Sequence, residues 1–208
     1  MSSSPLSNPK PLPTDLPAAK LPLSKLVVLT GPSGVGKGTL LARLRAHHPD
    51  LFVSISATTR SPRAGEVNGV NYYFMSVPDF EAGIAAGKFL EWAQYVGNYY
   101  GTPRLPVVER LEAGQSVMLE IEVEGAMQVK KNFPAAMLVF ILPPSMEALV
   151  TRLQGRGTDD LAVVEQRLAK ANQEIAVADQ FDFRVINDDL DRTVAEVEAL
   201  LFGEKEKV

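Results

Sequence analysis

The 208-residue sequence contains no cysteine, only two histidines and a single tryptophan. Without cysteine there can be no disulfide, no Cys-ligated zinc and no thiol nucleophile, and the composition fits a reducing compartment, with the cytoplasm as the expected location. No apolar run approaches the roughly 20 residues needed to span a bilayer, so no membrane partner is expected. No basic run stands out either. Twenty-five acidic residues against 21 basic ones leave a formal charge of −4, and nothing in that balance marks a nucleic-acid-binding surface. Any anionic ligand must therefore be held by local groups of Arg and Lys.

With 46% apolar residues, the chain can supply one well-packed core. The first 24 residues stand apart: Pro5, Pro9, Pro11, Pro13, Pro17 and Pro22 rule out a helix, and residues 1–24 read as a disordered leader. They lack the apolar core of a secretion signal, and without any Arg they match an organelle transit peptide poorly.

From Lys25 onward, short apolar runs alternate with amphipathic stretches. Leu26 to Leu29 reads as a strand that ends at Gly31, and Leu40, Leu41 and Leu44 then recur at helical spacing. The alternation returns as Ser116 to Leu119 before a helix near Glu124 to Lys131, and as Met137 to Leu142 before Ser145 to Leu153. It appears last as Arg184 to Ile186 before Leu190 to Leu201. Strands separated by crossover helices imply an α/β fold, a mostly parallel sheet with helices on both faces. Residues 54–102 break the rhythm, with strand-like pieces around Val70 to Met75 and a short helix near Pro78 to Ala86, and read as an inserted lobe in a core of 25–53 and 103–208. Residues 155–160 separate two helical patterns with a flexible charged tip, the centre of a small lid at about 152–167.

Gly31-Pro32-Ser33-Gly34-Val35-Gly36-Lys37-Gly38-Thr39 follows the first strand directly and opens a helix, the context a phosphate-binding loop requires. Its glycines let successive backbone N–H groups turn toward phosphate oxygens, the helix N-terminus adds partial positive charge, and Lys37 adds a full one. Gly38 stands where the general pattern has the Ser or Thr that holds magnesium. Thr39 follows one place later, so either Thr39 or water alone reaches the ion. In the next segment Arg60 and Arg63 lie three apart near the Tyr72 hydroxyl, a set able to clamp a phosphate through forked, charge-assisted hydrogen bonds.

The stretch from Ser56 through Thr58-Thr59-Arg60-Ser61-Pro62-Arg63 and Gly65-Glu66 to Tyr72-Tyr73-Phe74 resembles the guanylate kinase signature. The likeness continues through Phe89-Leu90-Glu91-Trp92-Ala93, Gly97-Asn98-Tyr99-Tyr100-Gly101-Thr102, Gly155-Arg156-Gly157-Thr158 and Asn187-Asp188-Asp189, covering about residues 25–205. It implies a P-loop enzyme that moves the γ-phosphate of ATP onto GMP, and onto dGMP, with Mg2+ accompanying the ATP. By this resemblance Arg60, Arg63, Tyr72 and Tyr100 grip the GMP phosphate. Guanine offers N1–H and a 2-amino group as donors and O6 as acceptor, and the matching positions are Glu91 and Glu122 for the donors and Ser56 and Thr102 for O6. Glu66 steadies an arginine or reaches the base through water.

The counterparts of Arg152, Arg156 and Arg167 close over the ATP phosphates, where negative charge spreads in the transition state. Lys37 and Arg60 complete this expected catalytic set, and Asn187 is expected near the adenine by resemblance only. The run Glu120-Ile121-Glu122-Val123-Glu124-Gly125 departs from the commoner family form, which has Asp at one or both acidic positions and Gln before Gly. Glu120 stands where an acid often lies near magnesium. No general base is required, because a phosphate monoester with a second pKa near about 6 is already largely ionised at neutral pH. His47 and His48 accordingly read as helix-terminal surface residues. Two alternatives are weaker. Guanylate-kinase-like binding modules typically lack a working phosphate loop, and the Ser56 to Phe74 signature argues against another monophosphate kinase.

Overall fold

The computed structural model describes residues 24–155 and 161–203. In chain order the elements are β1 (Leu26–Thr30), α1 (Lys37–His47), β2 (Phe52–Val53), β3 (Ala57–Thr58), β4 (Tyr73–Phe74), α2 (Val77–Ala85), β5 (Phe89–Tyr95), β6 (Asn98–Pro103) and α3 (Arg104–Glu112). They continue with β7 (Val117–Glu120), α4 (Val123–Asn132), β8 (Met137–Leu142), α5 (Met146–Gln154), α6 (Leu161–Ile175), β9 (Phe183–Ile186) and α7 (Leu190–Phe202).

All of β1 is buried, as expected of a central parallel strand covered on both faces. It pairs in parallel with β7 on one side and β8 on the other, and β2 and β9 extend the sheet to the order β2-β7-β1-β8-β9. Side chains alternate across a strand, so β1 contributes to two cores. Leu26 and Val28 pack with Val107 and Leu111 of α3 and Ala126 and Val129 of α4. Val27 and Leu29 pack with Leu40 and Leu44 of α1 and Val194 and Val197 of α7. The α/β expectation of helices on both faces of a parallel sheet describes this arrangement.

A second, four-stranded sheet, β4-β3-β6-β5, is built from the segment read as an insertion. Its centre is the antiparallel β5–β6 hairpin, closed between Tyr95 and Asn98. The two turn residues, Val96 at φ 47° and Gly97 at φ 75°, both lie in the left-handed region, as a type I′ turn requires. Helix α2 starts at Ser76, whose hydroxyl accepts from the Asp79 N–H, and Pro78 occupies its first turn. Phe80 of α2 stacks between Phe89 and Tyr99 with ring centroids 4.3 and 5.3 Å away, fastening the helix to the hairpin.

Three expectations change. The strand expected over Val70 to Met75 shrinks to Tyr73–Phe74, because Val70 and Asn71 N–H groups both donate to the Val67 carbonyl and turn the chain before it. The hairpin β5–β6 and the helix α3 were not foreseen. The expected leader up to residue 23, and residues 156–160 of the lid, lie outside the described residues.

Candidate active site

The phosphate loop runs from the end of β1 to the first residue of α1. Gly36 takes φ 103°, and a Cβ there would stand 2.6 Å from Asn187 Nδ2, so only glycine fits. Helix α1 has no acidic residue in its first turn and no side-chain cap, which leaves its N-terminal N–H groups and positive dipole end for an anion. Lys37 Nζ donates to the Gly31 carbonyl at 2.6 Å and the Pro32 carbonyl at 3.3 Å. Burial pulls its pKa down, while the negative charges of Glu120, Glu174 and Glu122 oppose that shift. Ser33, Gly34, Gly36, Lys37, Gly38 and Thr39, with Glu120 opposite, line a cavity of about 420 Å³.

The loop is braced from the other side. Asn187, 6% exposed at the end of β9, donates Nδ2–H to the Val35 carbonyl at 2.7 Å, and its Oδ1 lies 3.2 Å from the hydroxyl oxygen of Thr193. Arg152 of α5 donates to the same Val35 carbonyl at 3.1 Å and to the Asn187 carbonyl at 2.8 Å. The resemblance put Asn187 beside adenine and Arg152 over the phosphates. In the structure both side chains bond to the Val35 carbonyl of the loop. Replacing Asn187 with Ala removes a buried hydrogen-bonded group, so it should cost about 1 to 3 kcal/mol of unfolding free energy in a urea titration.

A second cavity, of about 350 Å³, lies between the hairpin and the β7–α4 junction, with Ser56, Tyr72, Glu91, Tyr100 and Glu122 in its wall. That volume is in the range of small-ligand sites. Glu91 is 6% exposed. Its Oε1 accepts from the Thr102 hydroxyl, directly across the hairpin, at 2.6 Å. Burial raises the Glu91 pKa and the Thr102 hydrogen bonds counter the rise. A hydroxyl has one proton, and Thr102 gives its own to Glu91, so of the two hydroxyls expected at O6 it is Ser56, in the cavity wall, that has a proton to offer a base oxygen. Gly125 lets α4 approach, since a Cβ there would come within 2.8 Å of Glu91 Oε2.

Beside this cavity Arg60 makes a forked pair with Glu66, Nη1 to Oε2 at 2.9 Å and Nη2 to Oε1 at 2.8 Å, and Glu66 Oε2 also accepts the Arg63 N–H at 2.7 Å. These bonds hold the Glu66 carboxyl below the usual carboxylate range. Of the two expectations for Glu66, steadying an arginine is the one this geometry displays. The Arg60 guanidinium lies 5.5 Å from the Tyr72 ring centroid. Arg63 itself sits on an exposed turn.

A third cavity, of about 400 Å³, joins the two. Lys37 and Gly31 face it from the loop, Tyr72 from the lobe, and Arg167 from α6. Glu120 lines all three cavities, at their junction. Arg156 falls outside the described residues. His47 and His48 each place a ring nitrogen 2.9 Å from Glu198 Oε1, and neither lines any of these cavities. Lys170 and Glu174, which also line the joining cavity, were missed from the sequence. Their spacing from Arg167 by three and seven residues, one helical face, was the signal available.

A parallel sheet with a glycine-rich phosphate loop between its central strand and the first helix defines the P-loop nucleotide-binding class. The family model described as guanylate kinase matches residues 23–204. A guanylate kinase of Gloeobacter violaceus is 61% identical over 183 residues, covering 88% of this chain and 89% of that one. One of Synechocystis sp. is 56% identical over 182 residues, covering 88% and 95%. The crystal structure of guanylate kinase from Anaplasma phagocytophilum aligns with a TM-score of 0.67 at 30% identity, covering 89% of this chain and 88% of that one. The chain belongs to the guanylate kinase family.

Proposed function

We propose that this chain transfers the γ-phosphate of ATP to GMP, and to dGMP, giving ADP and the nucleoside diphosphate. The observation that carries this reading is the joined pair of cavities, one built on the phosphate loop and one on the buried acid Glu91, with Lys37 and Tyr72 facing the space between. A phosphate oxygen of GMP attacks Pγ in line, the bond from Pγ to the bridging oxygen of ADP breaks, and ADP leaves carrying that electron pair. Lys37 and the loop N–H groups hold the ATP phosphates. Arg60, kept in place by Glu66, grips the GMP phosphate with Arg63, Tyr72 and Tyr100. Arg167, and Arg156 with it, adds charge as the 54–102 lobe and the lid at about 152–167 close and exclude water, which would otherwise compete as acceptor.

Among the described residues no group of three or more His, Asp or Glu could by itself hold a metal. Thr39 and Glu120 both face the phosphate-loop cavity, and one hydroxyl and one carboxylate suit Mg2+, a hard ion that keeps several waters and shares phosphate oxygens. Bound there with ATP, the ion would neutralise phosphate charge while Thr39 and Glu120 hold it. Among the described residues no helix is long and apolar enough to cross a membrane, and we place the reaction in the cytoplasm.

An assay coupled to ADP release, run with GMP, dGMP, AMP, CMP, UMP and dTMP as acceptors, tests the reading. Turnover is expected with GMP and dGMP only. Turnover favouring AMP or a pyrimidine nucleotide, or none at all, refutes it.

A further inference from the structure

Lys170 lies on α6 one turn beyond Arg167 and one turn before Glu174, on the face that lines the joining cavity. Its Nζ donates to Glu122 Oε2 at 2.7 Å and stands 3.7 Å from Glu174 Oε1. Glu122 stands at the N-cap position of α4 with extended backbone, φ −78° and ψ 165°, and makes no side-chain capping bond; it lines both the base cavity and the joining cavity. Its side chain is 73% exposed. Packing therefore does little to fix its torsions, and the contact that orients it comes from α6. Glu91 is held differently, by burial and by Thr102. The two acids read as guanine acceptors, Glu91 and Glu122, thus have separate supports, one inside the lobe and one on the helix that carries Arg167.

We propose that Lys170 is a positioning residue for guanine recognition: its ammonium holds one oxygen of Glu122, leaving the other to accept from the 2-amino group of the base. This rests on the reading of Glu122 as a guanine acceptor. The ion pair also ties α6 to the base cavity, so the bound base and the helix bearing Arg167 favour each other's placement. Lys170 reaches no substrate atom in this role and acts through Glu122. Because the pair is half-exposed, its worth is modest and salt-sensitive, a factor of about three to five in affinity.

The test uses the full chain and two ligands that differ only where Glu122 is assigned. GMP and IMP share the phosphate, O6 and N1–H, and IMP lacks the 2-amino group. Dissociation constants for both are measured calorimetrically in Lys170→Met, Lys170→Arg, Glu122→Gln and the Lys170→Met/Glu122→Gln double variant, with thermal melts as a folding control. Lys170→Met should weaken GMP about three- to fivefold and leave IMP unchanged, Lys170→Arg should restore most of the loss, and Lys170→Met should add nothing to Glu122→Gln. High salt should shrink the Lys170→Met effect on GMP. Equal losses for GMP and IMP, or additive losses in the double variant, would overturn the proposal and assign Lys170 to the phosphates. If Glu122→Gln narrows the gap between GMP and IMP while Lys170→Met does not, the positioning role alone fails. If Glu122→Gln leaves that gap intact, Glu122 does not read the base and the proposal falls with it.

Discussion

Lys37→Ala is expected to lower kcat by two to three orders of magnitude while leaving the fold intact. Lys37 is the full positive charge of the phosphate loop, and it is already held at the loop by the Gly31 and Pro32 carbonyls. Such a group needs little reorganisation as charge builds on the transferring phosphoryl, and loss of one preorganised contact of this kind typically costs about 3 to 4 kcal/mol. The lysine also faces the Glu120, Glu122 and Glu174 carboxylates, so its removal leaves those charges less balanced where the ATP phosphates bind. The ATP Michaelis constant should therefore rise as kcat falls. Steady-state kinetics on a variant with wild-type circular dichroism checks this, and near-normal turnover would remove the loop from the mechanism.

The second large effect concerns base choice. AMP lacks the 2-amino group and N1–H and presents an amino group where guanine has O6, so it leaves the Glu91 carboxylate without the donors that guanine supplies. Sites that read a ligand through buried hydrogen bonds reject such mismatches by around four orders of magnitude in favourable cases. Glu91→Gln keeps one acceptor for Thr102 and loses the charge and half the acceptor capacity. It should cost GMP much of its kcat/KM, narrow the GMP-to-AMP ratio by at least about tenfold, and leave ATP binding unchanged.

The ligand-free stability of the same variant should move the other way. Burial raises the Glu91 pKa, so the folded state binds its proton more tightly than the unfolded chain does. The stability linked to that proton is full below the unfolded pKa and is lost as pH rises through the folded value. Near neutral pH Glu91→Gln should thus melt at or above the wild-type temperature while using GMP poorly. Wild-type GMP affinity should fall as pH drops through the raised Glu91 pKa, because the protonated acid becomes a donor facing donors. A variant that both melts lower and keeps its base preference would contradict this account of Glu91.

The phosphate loop was legible in the sequence because its chemistry is local: contiguous residues, a preceding apolar strand and a following helix carry the whole signal. The parallel sheet was legible for a similar reason, since strands buried on both faces read as continuous apolar runs. The β5–β6 hairpin was not, because its turn is Val96-Gly97 rather than Asn-Gly or Asp-Gly, with a β-branched residue at φ 47°. Missing the hairpin hid the Glu91–Thr102 pair, which is a cross-strand neighbour rather than a sequence neighbour. Helix α3 went unread because Pro103 precedes its first turn and Pro106 lies within it, where proline is tolerated at a helix start and otherwise marks a break.

Contacts made across long stretches of chain were the least visible. Asn187 and Arg152 converge on the Val35 carbonyl from 152 and 117 residues away, and no period or motif spacing encodes that meeting. Their residue types were noticed through resemblance, and their partners emerged only from the packing of α5 and β9 against the loop. The same holds for Lys170, whose bond to Glu122 spans 48 residues.

The central claim, direct transfer between two nucleotides held in joined cavities, is tested most directly by following the phosphate itself. ATP labelled at its γ-phosphate is incubated with GMP and the protein, and the products are separated. The account predicts that the label appears in the β-phosphate of GDP, one equivalent for each ADP formed, with little free phosphate and with the signal lost in Lys37→Ala. Label recovered mainly as inorganic phosphate, at a rate indifferent to GMP, would contradict it.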